Sequence, residues 1–347
     1  MRYLPFLSVI TCMVLWASTI CHSQISLVDS PFLYRYADSF ADCDQSQNPP
    51  VCFTDTVAPD VQQNHRPVPI RIRVPRGTTG ALPLILWSHG GGLQPNGRAL
   101  NETWGRTLTR AGYIVIHMSH IENTPAERAA LCLEFGAASS EECLALPLTA
   151  VFQPRDASVV FRALNWIEQN VPGLAGRIDR GKIAVAGWSG GSLTALAHAG
   201  ARFRVTKAAN DVSFENPLPR VFLANSPQGP DFAGFKADSW RLISRPVLIS
   251  TGPSDVTGPE DASSRLFAYQ GMPRGNKYQL YIDHPETIHA TFNLENPEYP
   301  QFSQWLVAYT LAFFDHHLKS RAAAGEFLIS QRLPVYGSQK TVKISRK

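Results

Sequence analysis

Residues 184–192 read AVAGWSGGS and contain the pattern Gly-x-Ser-x-Gly at Gly187, Ser189 and Gly191. Apolar residues lead into the pattern, and a helix-compatible run follows it over residues 193–201. This context predicts a strand, a tight turn that carries the serine, and a helix. A turn of this kind lifts a serine hydroxyl out of the edge of a sheet, where it can act as a nucleophile.

Glycine suits such a turn because the strand and the helix close around the serine and leave little room for a Cβ. The N–H of Gly190, directly after the serine, is predicted to point to the place where an oxyanion would form. The motif is short, and similar glycine-rich strings mark many ordinary turns. The predicted strand and helix on either side favour a nucleophilic Ser189.

The composition is that of a globular protein with a large core. The chain has 347 residues, of which 44% are hydrophobic and 17% are charged, and this length fits one large α/β domain or two small ones. The net charge is +4, with Lys and Arg scattered along the chain. We therefore expect no nucleic-acid partner. The sequence shows no internal repeat or linker, which favours one domain.

Residues 1–23 are typical of a secretory signal peptide. Arg2 precedes the mostly apolar residues 4–20, and the small residue Ser23 stands at the expected cleavage site. The alternatives are an anchor that stays attached and a lipoprotein processed at Cys21. The apolar run is short and interrupted, which favours cleavage, and no later run is long enough to cross a bilayer. We expect a secreted or periplasmic protein without a stable membrane span.

Four cysteines remain after the leader, and they form two local pairs. The simplest disulfides in an oxidising compartment are Cys43–Cys52 and Cys132–Cys143. Four cysteines allow three connectivities, so the other pairings stay open. The spacing fits no zinc template, and we expect neither a metal site nor a cofactor.

The main domain is predicted over residues 66–330. An irregular N-terminal arm, residues 24–65, precedes it, and a C-terminal tail, residues 331–347, follows it. Residues 121–154 interrupt the pattern and are predicted to form an insertion near the mouth of a site. The alternating residues 67–74 predict a half-buried strand at an antiparallel edge of the sheet.

Apolar runs alternate with amphipathic segments along the main domain. This alternation predicts the α/β class, with a mostly parallel central sheet and helices on both faces. The predicted strands are residues 82–87, 113–118, 183–186, 221–224, 246–251 and, last along the chain, 278–282; the predicted helices are residues 104–111, 156–167, 193–201 and 302–318.

Three reactive side chains follow predicted strands, and reactive groups of open α/β sheets gather at the carboxyl ends of strands. Ser189 would attack, His289 would take its proton, and Asp255 would orient the imidazole. Their order along the chain, Ser, Asp, His, is that of the α/β-hydrolases.

Other residues compete for two of these roles. Glu260 and Asp261 are alternatives to Asp255, which lies closer to the end of its strand. His284 is an alternative to His289, which is flanked by apolar residues suited to holding an imidazole at a cleft.

The glycine-rich loop after residues 82–87 is predicted to supply the second oxyanion donor. Gly91 is the expected donor, with Gly90 and Gly92 as alternatives, while His89 is expected to be structural. Trp188 is a candidate substrate-binding residue, although a packing role suits its position in the turn equally well.

The sequence resembles the α/β-hydrolase superfamily, in particular secreted enzymes similar to predicted dienelactone hydrolases, platelet-activating-factor acetylhydrolases and bacterial polyester hydrolases or cutinases. The resemblance implies the same triad and the same oxyanion amides, Gly91 and Gly190. Trp188 stands where the family more usually has histidine, and the serine argues against the cysteine chemistry of dienelactone hydrolases. The similar segments are residues 66–69, 86–90, 187–191, 225–230, 246–252, 288–292 and 310–315.

The resulting hypothesis is a secreted serine esterase that acts on a small-molecule or polymeric ester through an acyl-enzyme. An amidase or peptidase on the same fold, and a non-catalytic binding protein on a hydrolase scaffold, are the alternatives. The sequence does not predict the oligomeric state. The tripeptide that begins at Asn101 would accept a glycan in a eukaryotic host.

Overall fold

The structure is a computed structural model. The predicted leader, Cys132, Cys143 and most of residues 121–148 lie outside the part that it describes. The described residues are 34, 40–47, 50–62, 66–120, 124, 126, 149–204, 211–258, 260–330, 335–336, 339–340 and 342–347.

Nine strands of the described chain form one sheet in the order β1-β2-β4-β3-β5-β8-β9-β10-β13. The short strands β6 and β7, and β11 and β12, pair with each other. The strands are β1 (Thr54–Ala58), β2 (Val68–Arg73), β3 (Leu82–Ser88), β4 (Ile114–Met118), β5 (Ile178–Trp188), β6 (Arg202–Phe203), β7 (Val212–Ser213), β8 (Val221–Asn225), β9 (Val247–Thr251), β10 (Lys277–Ile282), β11 (Val335–Tyr336), β12 (Gln339–Lys340) and β13 (Val342–Arg346).

The central strands, from β4 across to β10, are parallel to their neighbours. Antiparallel strands flank them: β1 and β2 on one side and β13 on the other. The predicted mostly parallel sheet of an α/β protein is therefore confirmed. The prediction of an edge strand at residues 67–74 was wrong, because β2 has a neighbour on each side, and β13 follows the strand predicted to be last along the chain.

Both errors have a physical reason. β1 lies in the arm predicted to be irregular, and its burial pattern is mostly exposed, so no apolar alternation marks it. β13 lies in the predicted tail, and only Val342 of its five residues is buried. These strands form because β2 and β10 each offer an edge with unpaired backbone groups, a property that local hydrophobicity does not encode.

The helices predicted over residues 104–111, 193–201 and 302–318 begin and end within three residues of the predicted positions, whereas the helices Phe267–Gly271 and Ala322–Ile329 were not predicted. The prediction of a single helix over residues 156–167 is wrong: α2 begins at Thr149, inside the predicted insertion, and a break at Ala163 separates it from α3. The helices are α1 (Glu102–Arg110), α2 (Thr149–Arg162), α3 (Leu164–Asn170), α4 (Gly190–Ala199), α5 (Phe267–Gly271), α6 (Pro300–Lys319) and α7 (Ala322–Ile329).

Two hydrophobic clusters pack on opposite faces of the sheet. In β3, Leu84 and Leu86 contribute to the cluster that includes α2, α3 and α4, whereas Ile85 and Trp87 contribute to the cluster with α1 and α6. Side chains of a strand alternate between its faces, so this division means that helices cover both faces, as predicted.

The predicted disulfide Cys43–Cys52 is confirmed, and it lies within the N-terminal arm. A buried hydrogen bond joins the arm to the main domain. Tyr34 donates a hydrogen bond to the buried carboxylate of Asp315 on α6, at 2.9 Å.

Within the described residues, no helix combines the length and apolar character needed to cross a membrane.

Candidate active site

Ser189 lies between the end of β5 and the start of α4, in a backbone conformation that a serine rarely adopts. Its φ is 54° and its ψ is −121°, values that cost free energy for a residue with a Cβ. The Ser189 N–H donates to the carbonyl of Asn225, at the end of β8, at 2.9 Å. The turn predicted from the sequence is therefore present, and it holds the serine at the carboxyl edge of the sheet.

Close packing explains the two outer glycines of the motif. A Cβ on Gly187 would lie 2.2 Å from the carbonyl oxygen of Gly191, and a Cβ on Gly191 would lie 1.9 Å from that of Ser88. Both distances are far below van der Waals contact, so any other residue would push α4 away from the strands. The glycines thus bring the helix against the backbone that carries Ser189.

Asp255 and His289 meet at the ends of neighbouring strands. An isolated parallel bridge pairs Ser254 with Ile288, so the residues that follow them come side by side. His289 Nδ1 lies 2.7 Å from Asp255 Oδ1, and Thr251 donates to Asp255 Oδ2 at 2.8 Å. With the Nδ1 proton on the side of the buried carboxylate, Nε2 is left as the proton acceptor.

The competing residues have other partners. His284 accepts the Glu286 N–H at 3.2 Å and packs against Tyr299 and Phe302, with ring centroids 5.6 and 5.0 Å away. Asp261 is exposed and caps the turn at Ser264 through its backbone N–H, at 2.9 Å. Of the predicted acids and bases, the structure brings Asp255 and His289 into contact.

Trp188 connects the serine turn to the histidine. Its indole N–H donates to the carbonyl of His289 at 3.1 Å, and the two rings are 4.8 Å apart. A Cβ on Gly90 would lie 2.6 Å from the Trp188 ring and 3.1 Å from the Cβ of Ser189. The packing role of Trp188 is therefore present, and its contact with a substrate stays a prediction.

Within the part of the chain that the structure describes, no hydrogen bond joins the Ser189 hydroxyl to His289 Nε2. Contacts of this kind are often long before substrate binds and shorten in the reacting complex. The structure thus brings Asp255 and His289 into hydrogen-bond contact, and Trp188, which precedes Ser189, packs against His289.

The two predicted oxyanion amides have no acceptor in the described part of the chain. The N–H groups of Gly91 and Gly190 donate to none of the described residues. The loops that carry them lie together, because a Cβ on Gly190 would be 3.6 Å from the nitrogen of Gly92. Gly91 has φ +78°, which glycine adopts without strain.

His89 orients the peptide that carries the Gly91 N–H. Its Nδ1 lies 2.6 Å from the carbonyl of Gly90, and its Nε2 accepts the backbone N–H of His120 at 3.4 Å. Burial lowers the pKa of His89 to about 3, so the ring is neutral with its proton on Nδ1. The C=O and N–H of a trans peptide point in opposite directions, so the Gly91 N–H faces away from His89.

The turn that carries His289 rests on a buried polar network that the sequence analysis missed. The carbonyl of Phe292 accepts from Asn225 and from Trp104, each at 3.2 Å. The Asn101 side-chain amide donates to Asn293. Its oxygen accepts from the indole N–H of Trp87 at 3.0 Å. The Asn101 side chain is buried and engaged on both sides, so it is closed to a glycan in this fold.

A second Ser–His–Asp array, also missed, lies behind the oxyanion loop. Ser88 Oγ is 2.8 Å from His120 Nε2, and His120 Nδ1 is 3.0 Å from Asp156 Oδ2. Ser88 also contacts Thr194 of α4 at 3.0 Å. Ser88, His120 and Asp156 are all buried. The array joins the ends of β3 and β4 to α2 and α4.

No protein-family model matches the chain, and no curated protein sequence matches it either. Among the described residues, no group of three or more His, Cys, Asp or Glu side chains could hold a metal ion.

Proposed function

We propose that the chain is a serine hydrolase with an α/β-hydrolase fold and that it cleaves carboxylic esters. One observation carries the proposal: the Asp255–His289 hydrogen bond, at 2.7 Å, lies at the same sheet edge as the strained turn of Ser189. A strained backbone conformation persists only where the surrounding fold enforces it, and such conformations concentrate at active sites.

The proposed reaction has two halves. Ser189 Oγ attacks the ester carbonyl while His289 Nε2 takes the hydroxyl proton, and the imidazolium then protonates the departing alcohol. Water, deprotonated by the same imidazole, attacks the acyl-enzyme and releases the acid. Asp255 holds the ring in the required tautomer and stabilises its charged form.

The free N–H groups of Gly91 and Gly190 support the stabilisation of the tetrahedral intermediate. Each would donate to the oxygen that becomes negative during attack. Because His89 fixes the peptide before Gly91, this donor is oriented before substrate arrives. Preorganised donors cost no reorganisation during the reaction.

Apolar side chains beside the acid and the base support an ester with an apolar group. Val256, next to Asp255, is 53% exposed, and Ile288, next to His289, is 43% exposed. Exposed apolar residues that flank polar reactive groups are typical of a substrate site. The Cys43–Cys52 disulfide supports export to an oxidising compartment, as the predicted leader implies.

The test is hydrolysis of p-nitrophenyl esters, from acetate to dodecanoate, by the wild type and by Ser189→Ala. We expect turnover by the wild type and loss of turnover in the variant, with an unchanged circular dichroism spectrum. A folded wild type that cleaves none of the esters would contradict the proposal, and peptide amides would be assayed next. The chain-length profile measures the size of the acyl pocket.

A further inference from the structure

A buried cation lies beside the proposed catalytic acid. The guanidinium of Arg265 is fully buried, and its Nε lies 2.8 Å from the Asp255 carbonyl and 3.2 Å from Asp255 Oδ1. His289 Nδ1 binds that same carboxylate oxygen. Arg265 also donates to the carbonyls of Ser226 and Pro227, at 3.1 and 2.9 Å, which ties the loop after β8 to the loop after β9.

This placement creates an electrostatic problem for the reaction. The carboxylate of Asp255 should favour a proton on His289, but a guanidinium on the same oxygen offsets that attraction. In a buried site, where charges are screened weakly, the effect is larger than in water. With Arg265 and Asp255 alone, the charge that faces the imidazole would sum to zero.

A second carboxylate restores the balance. Glu260 is almost fully buried, its Oε2 lies 3.6 Å from Arg265 Nη1, and its Oε1 accepts the Gly229 N–H at 2.8 Å. Burial raises the pKa of Glu260, and the charge of Asp255 adds to the rise, whereas the Gly229 N–H, Arg265 and a charged His289 act against it. Above its pKa, Glu260 brings the charge of the cluster to one net negative.

We propose that Glu260 is a positioning residue that offsets Arg265, so that a net negative charge faces His289 and favours its imidazolium. The inference rests on the proposed function, because it concerns the proton that His289 takes from Ser189. When that proton arrives, the group formed by Asp255, Glu260, Arg265 and His289 becomes neutral. No new covalent step is involved.

The other titratable groups around His289 do not supply this charge. On its own segment, Glu286 is exposed and His284 faces Tyr299 and Phe302. From β5, the neighbour is the uncharged ring of Trp188. From the loop after β9, Asp255 and Arg265 are the pair already described.

The test compares Glu260→Gln with the matched control Asp261→Asn. Glutamine keeps an acceptor for the Gly229 N–H and removes the charge, whereas the control removes a charge one residue away on the exposed surface. The measurement is kcat/KM against pH with a p-nitrophenyl ester.

We expect Glu260→Gln to lower the pKa of His289, because an imidazolium loses a favourable charge. The acid limb of the profile should then move to lower pH by about 0.5 to 1 unit. The plateau value of kcat/KM should fall several-fold. Glu260→Asp should restore most of the plateau value and most of the position of the acid limb. Asp261→Asn should leave the limb where it is.

The inference would be overturned if the acid limb of the pH profile stayed in place in Glu260→Gln, or if it moved equally far in Asp261→Asn. Titration of the His289 imidazole by NMR measures the same pKa without turnover, so the charge effect stays testable in an inactive protein. If the wild type cleaves no ester and the NMR shift is still present, the proposed function fails and the charge effect stands. If the wild type is active and neither readout moves, the inference alone fails.

Discussion

Two groups that each contain a Ser, a His and an Asp, here called arrays, occur among the described residues: the candidate site, Ser189, His289 and Asp255, and the buried group, Ser88, His120 and Asp156. They differ in exposure, in backbone geometry and in the serine–histidine hydrogen bond, which the structure shows for the buried group only. In each, an imidazole Nδ1 faces a buried carboxylate, at 2.7 Å for His289 and 3.0 Å for His120. The His289 side chain is 17% exposed, whereas that of His120 is 0% exposed. Ser189 lies on a strained turn, and Ser88 is the last residue of the regular strand β3.

We infer from this difference that the three side chains alone do not make a reactive serine. The hydroxyl of Ser88 is already engaged by His120 and Thr194 and is closed to solvent, so no substrate carbonyl can reach it. We interpret this buried array as a support for the oxyanion loop, which begins at His89. In the array of Ser189, neither His289 Nε2 nor the N–H groups of Gly91 and Gly190 have a hydrogen-bond partner among the described residues, as the proposed reaction requires.

The largest expected effect is the contrast between two serine substitutions. Ser189→Ala should lower kcat by about 10⁴-fold or more, because it removes the nucleophile. Ser88→Ala removes a buried hydroxyl and should leave kcat within about tenfold of the wild type. Steady-state ester hydrolysis measures both. Comparable losses in the two variants would mean that the arrays do not differ as described.

Substitution of the acids should separate rate from stability. Asp255→Asn should lower kcat by about 10⁴-fold, because the amide favours the wrong tautomer of His289. Asp156→Asn should lower the free energy of unfolding by about 1 to 3 kcal/mol, because one acceptor of a buried network is replaced by a donor.

Assays of kcat and thermal denaturation of both variants provide the readouts. A fall in kcat for Asp156→Asn as large as that for Asp255→Asn, in folded protein, would contradict the supporting role of the buried array.

A smaller effect is expected at the link between the arrays, His89. His89→Ala frees the Gly90 carbonyl and should lower kcat about 10- to 100-fold, with little change in KM, because the Gly91 donor acts mainly in the transition state. His89→Asn keeps an N–H near the position of Nδ1 and should recover much of the loss. If alanine and asparagine have the same kcat as the wild type, His89 does not orient the donor.

Local patterns in the sequence were enough to predict the strand, turn and helix around Ser189 and the local Cys43–Cys52 disulfide. They also predicted that Asp255 and His289 follow buried strands whose ends meet at one edge, as the structure shows, whereas the catalytic roles of the two residues stay predictions.

Contacts between distant segments were not predictable in this way. The partners of Asp156 and Asn225 are on other strands and loops, and no spacing along the chain marks them. Arg265 is a similar case, because a charged residue in a loop gives no local sign that it will be buried beside an acid. Such groups become recognisable only when the fold supplies their neighbours.

The central claim is that Ser189 is the nucleophile. The most direct measurement is reaction of the folded wild type with a fluorophosphonate probe, followed by peptide mapping of the adduct by mass spectrometry. We predict one adduct, on the peptide that contains Ser189, and no adduct in Ser189→Ala. A folded wild type that does not react, or an adduct on Ser88 or another serine, would contradict the account.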